Sequence, residues 1–238
     1  MTMRRTLIAT FAFASLLGGA SALRAQTIQS PIRYIETKQS VAPFVGYLWT
    51  DPTLHIRDAE VELGPQSAVL AGLQYNIHFA GPLYGEVLLG FSPTERKVYV
   101  PGSTTSANSV NPVEVGTTSM ALALADAGLH FNLTGPRTWR GIAPYAVASG
   151  GVVADLKRTS DLDAQVPDGS DFDLGPSFAL GLGIGTDWYP TQRLSIRAEG
   201  RDRFWRISAP QGLRPADLKT VSEWNHNFSL SIGAALHF

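Results

Sequence analysis

The residue types best suited to chemistry in this chain are concentrated in residues 194–205, where Arg197, Glu199, Arg201 and Arg203 occupy alternate positions. In an extended segment alternate side chains share a face, so the four charges form one row opposite Leu194, Ile196 and Ala198. Glu86, Asp126 and Asp187 lie on other segments with the same alternation and are the acids within reach of such a row. A row of this kind offers an ion or proton path, an acid and base pair, or an ion-pair network that fills an interior. Isolated buried charges are heavily penalised, so the arginines need the acids as partners on any of these readings. The network is the reading adopted, and no residue is assigned a catalytic role.

The other reactive residue types offer less. The 238 residues contain no Cys, which excludes disulfides, thiolate metal sites and a Cys nucleophile. Asp161, Asp163, Asp168, Asp171 and Asp173 crowd residues 157–175. They lack the ordered ligand spacing and bidentate Glu of a calcium loop and read as a solvated acidic surface. Gly181, Gly183 and Gly185 alternate on one strand face, which suits close packing rather than a phosphate cradle. No metal or cofactor is expected.

The elements that position these residues follow from period two. Residues 67–79 place Val69, Ala71, Leu73, Tyr75, Ile77 and Phe79 on one face and Gln74, Asn76 and His78 on the other. Residues 83–99 and 118–133 repeat the pattern, with Glu86 and then Asp126 and His130 on the polar side. Further strands are expected over residues 41–49, 143–155, 177–189, 194–205 and 225–238, making about eight. Short turns such as Gly81-Pro82 alternate with long stretches at 51–65, 101–116, 157–175 and 208–223, read as polar loops. Aromatic residues recur near the strand ends: Phe79, Phe131, Trp188 and Phe238 at one level, Trp49, Phe91, Phe178, Phe204 and Phe228 at the other. Two aromatic rings around an apolar band fit a barrel whose outer face meets lipid. On that face an Arg near the midplane would cost about 2–4 kcal/mol, so the arginine row must point into the lumen.

The last strand carries a more specific signal. Phe228, Leu230, Ile232, Ala234, Leu236 and Phe238 alternate with small or polar residues, and Ser231, Gly233, Leu236 and Phe238 resemble the closing-strand signature of bacterial outer-membrane β-barrels. From about residue 41 to 238 the chain resembles the small OmpA/OmpX-like barrels. The resemblance implies an all-β fold, an antiparallel transmembrane β-barrel with short periplasmic turns, longer extracellular loops and a packed polar lumen. It also implies outer-membrane lipid, periplasmic chaperones and the barrel-assembly machinery as partners, with the terminal residues as the assembly signal.

The N-terminus agrees with export. Arg4 and Arg5 precede an apolar stretch at residues 7–17 and then small residues, the order of a signal peptide over residues 1–25 with cleavage after Ala22 or Ala25. Residues 26–39 read as a periplasmic lead-in and 40–238 as the barrel domain. Loss of residues 1–25 removes three of the 19 basic residues and none of the 20 acids, leaving a charge of about −4 that argues against nucleic acid.

Some small barrels modify lipids, and lipid A deacylases of this shape use a His and a Ser two residues apart on one strand. Two places after His55, His78, His130 and His226 stand Arg57, Ala80, Asn132 and Phe228, so the pattern is missing. The expectation is a non-enzymatic, monomeric membrane barrel acting structurally or through its surface loops. A narrow channel for small solutes and a lipid-modifying enzyme are the alternatives.

Overall fold

A computed structural model describes residues 30–57, 59–102, 111–156, 162–215 and 217–238. The segment read as a signal peptide, the start of the lead-in at 26–29, residues 103–110 of the 101–116 loop and residues 157–161, Asp161 among them, therefore lie outside the described residues.

Among the described residues twelve strands follow in chain order: β1 (Ile32–Tyr34), β2 (Gln39–Thr50), β3 (Thr53–Ile56), β4 (Ala59–Glu62), β5 (Ala68–Ala80) and β6 (Leu83–Pro101) in the first half. The second half holds β7 (Pro112–Asn132), β8 (Arg137–Trp139), β9 (Ile142–Asp155), β10 (Ser177–Trp188), β11 (Leu194–Ser208) and β12 (Ser222–His237). Eight of them, β2, β5, β6, β7, β9, β10, β11 and β12, pair antiparallel in that order, and β12 returns to β2. The ring is thus a closed barrel in which every strand but the seam pair meets its sequence neighbour. At the seam Gln39 and Phe238 exchange backbone hydrogen bonds, each N–H donating to the other's carbonyl at 3.0 Å. Closure matters in lipid, where an open sheet edge would leave backbone groups unsatisfied.

Side-chain alternation decides which face meets what. Leu73, Leu89, Leu129, Leu182, Ile184, Leu230 and Ile232 point outward and are exposed, as are Trp49, Phe91, Phe178 and Phe228 at one level and Phe79, Phe131, Trp188 and Phe238 at the other. Trp49 and Phe228 sit on adjacent strands with ring centroids 5.8 Å apart, part of the first belt. A soluble barrel would turn this apolar face inward.

Three regions depart from the sequence expectation. Residues 112–116, read as loop, open β7 and pair with β6 as far as Pro101–Pro112. The stretch 51–65, read as a solvated loop, holds the β3–β4 hairpin, and its Leu54, Ile56, Val61 and Leu63 are buried. Acids beside these four hide a short alternating pattern. The lead-in likewise is not unstructured where it is described, because β1 pairs with β8 through Ile32–Trp139 and Tyr34–Arg137.

The lumen also differs from the polar interior expected. Its long-loop half is apolar: Leu48, Leu70, Leu122, Leu124, Val153 and Trp205 point in from the strands. They meet Leu54, Ile56, Phe172, Leu174, Leu213 and Val221 from the connecting segments. Residues opposite a lipid-facing surface need be polar only where water or charge reaches them. Here loop side chains cover them, and burial of each large apolar group contributes about 1.5–3 kcal/mol.

Candidate functional site in the barrel lumen

The polar half of the lumen lies toward the short turns and is built around β11. The structure places Arg197, Glu199, Arg201 and Arg203 on its inner face, with Glu86 from β6 and Asp126 from β7 opposite; all six are buried. Arg201, 1% exposed, lies between strands on different sides of the barrel. Its Nε donates to Glu199 Oε1 at 2.8 Å and its NH2 to Glu86 Oε1 at 2.5 Å. Arg203 Nε donates to Asp126 Oδ2 at 2.9 Å and its NH1 to Ser229 Oγ at 2.8 Å. Arg197 makes a two-pronged contact with Asp187 on β10, Nε and NH2 each 2.8 Å from a carboxylate oxygen.

Neutral groups fill further acceptor positions. Tyr145 donates its hydroxyl to Glu199 Oε2 at 2.9 Å, and Gln74 Nε2 donates to Glu86 Oε2 at 2.5 Å. His130 stacks on Tyr145 with ring centroids 3.9 Å apart and meets Asn132 Oδ1 through Nε2 at 2.9 Å. Three guanidiniums therefore face four carboxylates, each hydrogen-bonded, which is the condition under which buried ion pairs persist. Tyr145 fits because Gly185 stands across from it on β10: a Cβ there would meet the Tyr145 ring at 2.4 Å. Gly185 is a packing glycine that makes room for a ring.

Sequence spacing did not reveal Tyr145, Gln74, His130 and Ser229 as members of the network. Each lies on the inward face of its strand, so strand pairing together with alternation would have found them. A second contact was also missed. Ser195 Oγ and His237 Nε2 are 2.8 Å apart across β11 and β12, 42 positions apart in sequence. A Ser–His contact is the first element of nucleophilic catalysis. Here the acid, Asp187, approaches the hydroxyl at 3.4 Å rather than the second ring nitrogen, and Ser195 is fully buried. The arrangement ties the strand ends together and does not present a nucleophile.

The terminal residues Ser231, Gly233, Leu236 and Phe238 lie on or just past β12. Leu236 and Phe238 face outward, and Gly233 passes close to the Pro43 carbonyl of β2.

At the long-loop end the polar contacts are of another kind. Arg96 NH2 on β6 reaches both carboxylate oxygens of Asp163 at 2.7 Å, and Phe172 lies under the guanidinium, 5.8 Å from Cζ to ring centroid. The acidic loop is thus partly folded into the mouth rather than solvated along its length. His55 on the hairpin contacts Glu223 at 3.1 Å, and this hydrogen bond raises its pKa. Lys97 is pushed up to about 12, first by its hydrogen bond to Glu62 and further by Glu114. Among the described residues no group of His, Asp and Glu is arranged to hold a metal ion.

No protein-family model matches the chain, and no curated protein matches it. Solved structures do. The outer membrane protein OprG from Pseudomonas aeruginosa superposes with a TM-score of 0.52 at 15% identity, over 85% of this chain and 97% of that one. Neisserial surface protein A gives 0.48 at 14%, covering 84% and 97%. AlkL, an outer membrane protein studied in lipid bilayers, gives 0.49 at 12%, covering 92% and 97%. The fold is that of the small eight-stranded outer-membrane β-barrels.

Proposed function

We propose that this small outer-membrane-type barrel is a non-conducting, monomeric membrane anchor whose extracellular loops make its contacts. On this reading the short-turn end is periplasmic, and the β12 terminus is what the barrel-assembly machinery engages. The observation that carries the proposal is Arg201, whose guanidinium joins Glu199 of β11 to Glu86 of β6 within the lumen. An eight-stranded barrel is only wide enough for side chains to fill it. The charges are spent on one another, which leaves no free row to attract a permeant ion. Above them the apolar cluster closes the mouth with segments of three connections. Neither half offers a wet path, and the buried Ser195 gives an enzyme no accessible nucleophile. The acid-rich long loops remain as the surface that meets the outside.

Conductance of the refolded chain in a planar bilayer tests this, beside an Arg197→Ala plus Arg201→Ala variant. The native barrel should be silent. Steady openings of the native chain, with an ion preference that changes in the variant, would make the arginine row a conduction site and sink the anchor reading.

A further inference from the structure

The short-turn end carries a surface that the lumen does not use. Opposed residues of an antiparallel pair share a face. In the β1–β8 pair that face holds Ile32 with Trp139 and Tyr34 with Arg137. Thr138, on the other face, is buried, whereas Ile32, Tyr34 and Trp139 are 47%, 55% and 55% exposed. The exposed face continues the lipid-facing belt, since Trp139 pairs with Ile142 and Ile142 with Trp188, both exposed.

Two arginines sit over these aromatics. Arg137 has its Cζ 4.7 Å from the Tyr34 ring centroid and donates to the Tyr34 hydroxyl. Arg140 has its Cζ 5.2 Å from the Trp139 ring centroid. A guanidinium carries five N–H donors, more than one ring and one hydroxyl contact use, and its fork matches two phosphate oxygens. Arg140 also occupies a left-handed turn position, φ 52°, followed by Gly141 at 81°. Asn or Gly is the ordinary choice there. A strained backbone that holds a charged side chain at a rim suggests a use for that charge.

The local charge is one-sided. Among the described exposed residues of this end, Arg33, Lys38, Arg137, Arg140 and Arg193 are opposed by Glu36. The exposed acids gather at the opposite end, on the long loops.

We propose that this face binds anionic phospholipid headgroups of the periplasmic leaflet. Arg137 and Arg140 donate to the phosphate diester, while Tyr34 and Trp139 lie at headgroup level, where amphipathic rings are favoured. The inference rests on the reading of the chain as a membrane barrel. Its support is the continuity of the patch with the lipid-facing belt and the match of its charge to an anionic surface.

The test is native mass spectrometry of the folded mature barrel in micelles with phosphatidylglycerol and phosphatidylcholine of identical acyl chains. An Arg137→Gln plus Arg140→Gln variant is run beside it, with heat-shifted electrophoretic mobility as the check on folding. The native chain should retain phosphatidylglycerol preferentially. Each basic residue near an anionic surface contributes roughly fivefold, so the double variant should lose about 30-fold of that preference. Equal retention of both lipids by the native chain, or an undiminished preference in the folded variant, would overturn the proposal. So would inorganic phosphate alone displacing the lipid, or an acidic peptide binding in its place. If the variant fails to fold, Arg137→Lys plus Arg140→Lys, which keeps charge and loses the fork, is expected to show an intermediate loss. Insertion into vesicles separates the two levels: a chain that inserts without lipid preference refutes this inference alone, whereas a chain that never inserts refutes the barrel reading as well.

Discussion

Arg96 and Asp163 form a buried contact between the inner face of a barrel strand and a connecting segment 67 positions away, with one guanidinium nitrogen 2.7 Å from both carboxylate oxygens. Both side chains are less than one-tenth exposed. The pair sits over Phe172 at the edge of the apolar cluster, so it pins the 162–175 segment into the mouth.

Removing one partner of such a pair leaves an uncompensated charge in a place closed to water. Arg96→Ala should therefore destabilise the barrel by about 3–5 kcal/mol. It should also open residues 162–175 to proteinase K. Urea unfolding in vesicles measures the first effect and the digestion pattern the second. Unchanged protection of the segment would show that apolar contacts alone hold it.

Arg201 serves two carboxylates at once. Arg201→Met should cost about 3–5 kcal/mol because Glu86 and Glu199 lose the cation that joins them. Adding Glu86→Gln to that variant should recover part of the loss, with a coupling of about 0.5–3 kcal/mol in a double-mutant cycle. Strict additivity of the two losses would mean that the network is not a unit.

Gly185 tests packing on the other side of the same network. Gly185→Ala drives a methyl into the Tyr145 ring and the Ala198 carbonyl, 2.7 Å away, and should cost about 1–3 kcal/mol. Combined with Tyr145→Ala the penalty should be smaller than the sum of the single losses, because only the carbonyl contact remains. Thermal unfolding of the four proteins supplies the cycle.

His55 gives a pH dependence at the long-loop end. Its pKa is raised above the ordinary 6.5, first by the hydrogen bond to Glu223 and then by the charge of that carboxylate. A raised histidine stabilises the folded form below its unfolded pKa and loses that contribution as pH climbs through its folded value. The β3–β4 hairpin should thus be held to β12 more firmly at mildly acid pH than above neutrality. An NMR titration of the His55 ring should show the elevated midpoint, and Glu223→Gln should return it toward the ordinary value.

The barrel was legible because its outer face obeys one rule along every strand. Val69 to Phe79, or Phe228 to Phe238, cannot hide an alternating apolar row. The inner face obeys no single rule, and legibility falls there. The charges of β11 stood out because Arg197, Glu199, Arg201 and Arg203 would be untenable in lipid. Leu122 and Leu124 did not reveal an apolar upper lumen, because an inward leucine becomes informative only when Leu54 or Phe172 is known to cover it. Tyr145 escaped notice for the same reason, since its partner Glu199 is 54 positions away. The Ser195–His237 contact is likewise a product of register between strands rather than of spacing within one. Thr53–Ile56 and Ala59–Glu62 were obscured by the acids and turn formers around them, and Ile32–Tyr34 by its brevity.

The seam between Gln39 and Phe238 has a consequence for how the chain reaches its final form. Seven of the eight ring pairings can be completed by neighbours zipping one onto the next, like a ribbon growing at its edge. The eighth must bring together the two margins of that ribbon, and until it does, β2 and β12 each present a row of bare amides and carbonyls. A hydrocarbon layer tolerates no such row. The two margins must then stay shielded, by each other or by a helper strand, for as long as they lie in that layer.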